Sequence, residues 1–389
     1  MHTVRQNGLS LIEVMVGMAV AMLASLAVIN AFSMSEANKR NTSGAGDAAQ
    51  SGSMLSYYLS RTLEEAGSGL VNDGILDCPV TITNASTVVF PQAPATPLAA
   101  PFDLVPGNLA IAPVIIVDGA SATPAVSPAS DTIIVSAGRP VGSPQDYPAN
   151  YVNQLSLTPT PAINFNPGDY LLTYSALTTG LSVPACQIVR VASSFAPGAL
   201  GTALSGMANA KPIGAAPPSV VTLDAAYGAP VPIDPPAISV RDLGSSPNIE
   251  AIARSSSQSL MTVNLLNPTA GFTTITENVV AVRAIYGLDT TGTPKVVDTW
   301  VRATGPYAAS ILLNGTTASA SILKQIIALR VAIIVRGSQK ATGDAANSSV
   351  TLFSDQPTLT VTYPMTGTDA NYQYQVYDVV VSLQNPKAL

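Results

Sequence analysis

Leu9 to Phe32 forms an apolar run of 24 residues, broken only by Ser10, Glu13, Ser25 and Asn30. At about 1.5 Å per residue, a helix of that length crosses a hydrocarbon core of about 30 Å with residues to spare. A secretory signal peptide is the competing reading, but its apolar region covers about 7 to 15 residues and ends in a small-x-small cleavage site. This run is longer, and Ala31-Phe32-Ser33 fits such a site poorly. The expectation is a membrane anchor that is kept. Glu13, five residues into the run, costs about 2.5 to 3.5 kcal/mol near a membrane centre, so it asks for a partner, and a new amino terminus is one candidate.

Composition removes most catalytic chemistry. The 389 residues leave room for two compact units, and 47% apolar residues suffice to bury a core. Only 10% are charged, while Gly (28) and Pro (31) are plentiful, which suits strands and turns better than a helical bundle. The net charge is −6 and the 17 basic residues are thinly spread, so nucleic acid is not expected as a main partner. His2 is the single histidine, and Cys78 and Cys186 are the two cysteines. That inventory excludes zinc fingers, histidine-rich metal cages and histidine-based acid–base schemes. The sequence offers no phosphate loop, and no catalytic residue, cofactor site or metal site is assigned, so an enzyme is not expected.

Beyond the anchor, residues 33–70 are mostly polar. Met54, Leu55, Tyr58, Leu59, Thr62, Leu63 and Ala66 recur at three- and four-residue steps, the pattern of an amphipathic helix. The stripe Leu55, Leu59 and Leu63 is expected to face the protein's own head. Gly44, Gly46 and Gly52 each weaken a helix by about 1 kcal/mol relative to Ala and mark a place where it could bend, while Gly67 and Gly69 supply a stop. Residues 71–276 read as irregular β structure, with short runs at Val80–Phe90, Val114–Val117, Thr132–Val135, Tyr170–Tyr174, Gln187–Val191, Val220–Leu223 and Leu260–Leu265. Pro91–Pro97 and Pro230–Pro236 cannot be central strands. The last third alternates more regularly at Asn278–Leu288, Ile326–Arg336 and Tyr372–Leu383, which implies an antiparallel sheet able to cover the leucine stripe.

The segment Gln6-Asn7-Gly8-Leu9-Ser10-Leu11-Ile12-Glu13-Val14 resembles the processing site of type IV prepilins and pseudopilins, with Leu9 at a position where Phe is more usual. The resemblance implies cleavage between Gly8 and Leu9 by a membrane prepilin peptidase, which also methylates the new amine, and an assembly role for Glu13. Physical chemistry agrees: Gly8 lets an extended backbone enter a narrow cleft, and Leu9 and Glu13, four apart on a helix, share a face. Glu277 to Asp289, Ala328 to Arg336 and Val379 to Asn385 look like the C-terminal blocks of PilW-like minor pilins, as does Leu59 to Gly67 with Cys78 behind it. Gln384 stands where that family usually has Arg. Members of the family often carry an aspartate-rich turn; here Asp289 to Lys295 keeps one carboxylate before Asp298, too few for calcium, and a hairpin turn at Gly292 is expected.

The fold class expected is therefore α+β: a long N-terminal transmembrane and amphipathic helix, pilin-like, packed on an antiparallel β-sheet with a β-rich, loop-rich inserted lobe. The expected divisions are leader 1–8, transmembrane helix 9–32, amphipathic helix 33–70, variable lobe 71–276 and C-terminal sheet 277–389. The function implied is a low-copy minor pilin of type IV pilus assembly, at the initiating or tip complex. Its partners would be prepilin peptidase, other minor pilins, the major pilin and the inner membrane. Localisation would be single-pass in that membrane with a periplasmic head, and in the extracellular pilus. A large minor pseudopilin of type II secretion and a tip adhesin or ligand-binding module remain the alternatives. An oxidising compartment and an even cysteine count point to a Cys78–Cys186 disulfide, with two buried free thiols as the alternative.

Overall fold

The computed structural model describes residues 11–70, 74–84, 87–92, 96–121, 129–139, 145–153, 156–159, 165–175, 186–193, 221–223, 238–292, 296–340, 349–367 and 369–383. One helix, α1 (Leu11–Glu64), runs unbroken for 54 residues, about 81 Å at 1.5 Å per residue. It passes through Gly44, Gly46 and Gly52, where the sequence allowed a bend, without a break. Gly44 and Gly52 are buried against the head, so packing outweighs their weak helix propensity, and only Gly46 faces open space. The helix ends at Glu64 rather than near residue 70, and turns follow in which Gly67 and Gly69 adopt positive φ of 82° and 65°.

The C-terminal sheet supplies the face that α1 covers. Its order is β16 (Thr299–Arg302), β15 (Val279–Leu288), β17 (Ile326–Lys340) and β20 (Tyr372–Ser382), all antiparallel. These contain the three alternating runs read from the sequence. A hairpin of β18 (Ser349–Leu352) and β19 (Val361–Pro364) covers the opposite face, packing Val350, Leu352, Phe353 and Tyr363 on Val280, Ala281, Ile285 and Ile334. β15 is consequently buried along its whole length.

Beside it lies a five-stranded sheet of order β14 (Thr273–Thr276), β13 (Leu260–Asn264), β12 (Asn248–Arg254), β5 (Thr132–Ala137) and β4 (Val114–Val117). The rest is a nine-stranded sheet. Its path runs β10 (Val221–Thr222), β7 (Ser156–Pro159), β6 (Asp146–Asn153), β11 (Ile238–Gly244), β8 (Tyr170–Ser175), β9 (Cys186–Arg190), β1 (Pro79–Asn84) and β2 (Thr87–Phe90), with β3 (Leu109–Ala110) also on β1. The run expected as Val80–Phe90 is thus two strands. β6 holds a proline, Pro148, without breaking the ladder: there it pairs only with Ser239 of β11, because β7 joins from Ala149 onward. The expected stretch Pro230–Pro236 lies outside the described residues.

One hydrophobic core joins Leu55, Leu59 and Leu63 of α1 to Ile133 and Ile252 of the five-stranded sheet and to Leu329 and Val331 of β17. It therefore crosses residue 276 without a break. A separate small core lies within the nine-stranded sheet around Phe165, Leu171, Val189 and Val240.

Candidate assembly site

The two halves of α1 differ in what they touch. Every residue from Leu11 to Glu36 is exposed, and this half contains an 18-residue window of mean hydropathy 2.3 with none of it buried. A contiguous apolar surface of this length is far larger than a monomer in water keeps open, so it anchors in lipid or packs on other chains. Glu13 lies near the start of the described part of the helix and is exposed. The expected cleavage and methylation residues, Gly8 and Leu9, lie outside the described residues, so the Leu9–Glu13 pairing has no geometry here.

The second half is seated by small residues followed by leucines. Gly44, Ala48, Gly52, Leu55, Leu59 and Leu63, at steps of three or four, form the buried stripe. Glycine is required where the approach is closest: a Cβ on Gly52 would stand 1.8 Å from Cε2 of Tyr377, and one on Gly337 would stand 2.7 Å from the carbonyl oxygen of Gly44. Polar contacts fix the seat. Gln375 Nε2 donates to the Ala45 carbonyl at 3.3 Å, and the Ser338 hydroxyl donates to Asp47. Near the helix end the Tyr58 hydroxyl donates to Glu250 Oε1 at 3.1 Å, and Arg139 pairs with Glu65 at 2.6 Å.

Cys78 and Cys186 form the expected disulfide, with Cα atoms 5.8 Å apart. It ties β1 to the start of β9, strands that run parallel with Val80 opposite Cys186. Next to it Asp77, buried and at a positive φ of 62°, reaches a helix that sequence reasoning did not find, α3 (Thr317–Gln325). This follows a single helical turn, α2 (Ala309–Leu312). Asp77 Oδ2 accepts from the Thr316 amide at 3.2 Å and from the Ser319 hydroxyl, which belong to the capping box of α3. Burial pushes the Asp77 carboxyl up to about 6, against the pull of Ser319 and the amides of Gly315 and Thr316.

A second buried cluster was equally hidden in the sequence. Arg283 of β15 reaches Asp118 at 2.9 Å and Asp131 at 2.7 Å. Asp131 also accepts from the amides of Gly119 and Ala284. The cluster clamps the five-stranded sheet to the C-terminal sheet. No local pattern announces it, because Arg283 lies over 150 positions from both aspartates.

The turn after β15 uses both of its carboxylates internally. Asp289 Oδ1 accepts from the Gly292 amide at 2.8 Å, and Asp298 Oδ2 accepts from the amides of Thr290 and Thr291 at 2.7 and 3.0 Å. Among the described residues no three His, Cys, Asp or Glu side chains come together as metal ligands. An open groove of about 630 Å³, lined by Pro79, Thr81, Pro91, Asn108, Leu313 and Asn314 among others, flanks β1 next to the disulfide. What the chain displays most prominently is the exposed apolar half of α1.

Comparison with known proteins agrees with that arrangement. Residues 249–385, from β12 through the end of β20, match the family model for type IV pilus-assembly protein W, and residues 4–29 match the prokaryotic N-terminal methylation motif. The first match begins at β12, ahead of the block at Glu277 that the sequence suggested. No curated protein and no solved structure matches the chain. The family serves pilus assembly, a structural role, and the apolar helix with its prepilin motif points to membrane anchoring and association with the pilus. A methylation motif leads into the exposed half of α1 and the PilW-like sheet packs on its other half, so in these two segments the chain is similar to type IV pilin-like proteins of pilus assembly.

Proposed function

We propose that this chain is a low-copy minor pilin, processed by prepilin peptidase between Gly8 and Leu9 and methylated on the Leu9 amine. In this reading the apolar half of α1 spans the inner membrane once, with the head on the periplasmic side, and then enters the fibre core beside other minor pilins and the major pilin. Glu13 neutralises the amine of Leu9 in its own or an adjacent subunit. The observation that carries the reading is the division of α1 into an apolar half that is exposed among the described residues and a second half locked onto the head. Residues 65–389 make a head too bulky to repeat at every position of a fibre, which favours the initiating or tip complex.

Intact mass of the protein recovered from cells with active prepilin peptidase tests the processing step. The expected product lacks Met1 to Gly8 and carries one added methyl group, and Gly8→Val blocks its formation. Retention of the leader in such cells refutes the reading.

A second role is favoured by one observation: the whole nine-stranded sheet lies outside both matched segments. We propose that this part of residues 71–276 is a lobe for ligand or partner contact, carried on the pilin core. Replacing its outer strands then changes adhesion while fibres still form. A large minor pseudopilin of type II secretion shares the anchor, and its assembly partners would distinguish it.

A further inference from the structure

The C-terminal sheet ends on β20, whose one strand neighbour among the described residues is β17. Leu383 donates to the carbonyl of Ile327, and the same register sets Val381 opposite Leu329, Val379 opposite Val331 and Tyr377 opposite Ile333. Bonded pairs alternate along an antiparallel ladder, so the N–H and C=O groups of Val376, Asp378, Val380 and Ser382 point to the open edge. Open edges are normally blunted by Lys, Pro, a bulge or shortness. From Tyr374 to Ser382 β20 has no Lys, Pro or bulge and its register is regular; its single charged residue, Asp378, is the one device there that guards the edge against unselective pairing. Val376 and Val380, 44% and 59% exposed, flank that aspartate.

Two further features describe what fits there. The flank of α1 on the β20 side carries Ala45, Ala49, Ser53, Ser56 and Ser60, the side on which Gln375 and Tyr377 reach the carbonyls of Ala45, Ala48 and Ala49. A strand added to β20 would meet this small-residue flank with room for larger side chains. Charge supplies the second feature. Arg330 is shared by Asp378 at 2.9 Å and Asp355 at 2.7 Å, which leaves one negative charge in excess beside the edge. A second copy of the chain would bring two such clusters together, so a different chain is the better partner.

We propose that the β20 edge is a docking site for a β-strand of a different fibre subunit, one with bulky residues toward α1 and a Lys or Arg beside Asp378. The proposal rests on the pilus reading above. Hydrogen–deuterium exchange of the full chain, free in detergent and within isolated fibres, reads the edge directly. The amides of Val376, Asp378, Val380 and Ser382 should exchange rapidly in the free protein and at least about tenfold more slowly in fibres. In cells, Val376→Lys with Val380→Lys should lower recovery in sheared fibres, whereas Val88→Lys with Val296→Lys, at sites 52% and 55% exposed elsewhere, should not. Normal recovery in fibres with those four amides still unprotected overturns the docking site and leaves the pilus reading standing. Cross-linking of Val380→Cys to the same residue of a second copy also overturns it. Absence of the chain from fibres and from their assembly complex overturns both.

Discussion

Gly52→Ala separates close packing from helix propensity at the tightest contact between α1 and the sheet. A Cβ there would stand 1.8, 2.0 and 2.4 Å from Cε2, Cζ and Cδ2 of Tyr377. The ring does not swing clear freely, because its hydroxyl donates to Gln375 Oε1 at 2.6 Å and lies 3.3 Å from the carbonyls of Ala48 and Ala49. Overpacking of this kind costs about 1 to 3 kcal/mol, against a gain of about 1 kcal/mol from replacing glycine inside a helix. The net expectation is a loss of up to about 2 kcal/mol. Tyr377→Ala empties the space, and in that background the same substitution should stabilise by about 1 kcal/mol, giving a coupling of about 1 to 3 kcal/mol in a double-mutant cycle. Gly46→Ala, whose Cβ would meet nothing within 4 Å, is the reference for propensity alone. Urea unfolding of the full chain in detergent, followed by the fluorescence of Trp300, the single tryptophan, measures all four forms. Additivity within about 0.5 kcal/mol would refute the argument that Gly52 exists to admit the ring.

Three other outcomes are expected. Converting Cys78 and Cys186 to serine releases a cross-link spanning 108 positions, which the chain-entropy relation values at up to about 4.8 kcal/mol. The urea midpoint should fall accordingly, and alkylation of the denatured, unreduced native chain should find no free thiol. Asp77 has a raised folded-state pKa, so its contribution is fully present below about pH 4 and is lost as pH rises through about 6. Stability of Asp77→Asn relative to the parent should therefore rise across that window; a difference that stays flat from pH 4 to 7 would count against a buried, destabilised carboxylate. Glu13→Ala should leave the unfolding of the head unchanged and lower recovery in sheared fibres, and normal recovery would remove Glu13 from assembly.

The features legible in the sequence are those carried by neighbours in the chain. The anchor needs only a run of apolar residues, the leucine stripe only a helical period, and β17 only alternation at Leu329, Val331, Ile333 and Val335. Strands that escaped the sequence reading lack a clean two-residue period, for reasons of burial. Ala251 to Arg254 of β12 are buried on both faces, so alternation has no solvent side to reveal it. β6 carries Pro148, a signal that argues against a strand unless one knows that pairing with β7 starts only at Ala149. The glycines of α1 were visible as weaknesses, but their use depends on Tyr377 and Gly337, about 300 positions away. Asp77 with α3, and Arg283 with Asp118 and Asp131, likewise join segments whose association no local pattern records.

The long-range contacts that sequence could not reveal bear on how the legible anchor acts. α1 is continuous from its exposed apolar half into the stripe that packs on β17 and β20, so no hinge separates the two along the helix. The Gly44–Gly337 approach sets its depth on the sheet, Gln375 and Tyr377 fix it laterally, and Tyr58–Glu250 with Glu65–Arg139 hold its end to the five-stranded sheet. A helix held at so many points along its second half cannot rotate about its axis without breaking several of them together. Whatever surface the first half meets therefore also orients the head, including the open edge of β20. The glycines that sequence reasoning treats as a point of weakness are, on this argument, what makes the coupling between anchor and head stiff.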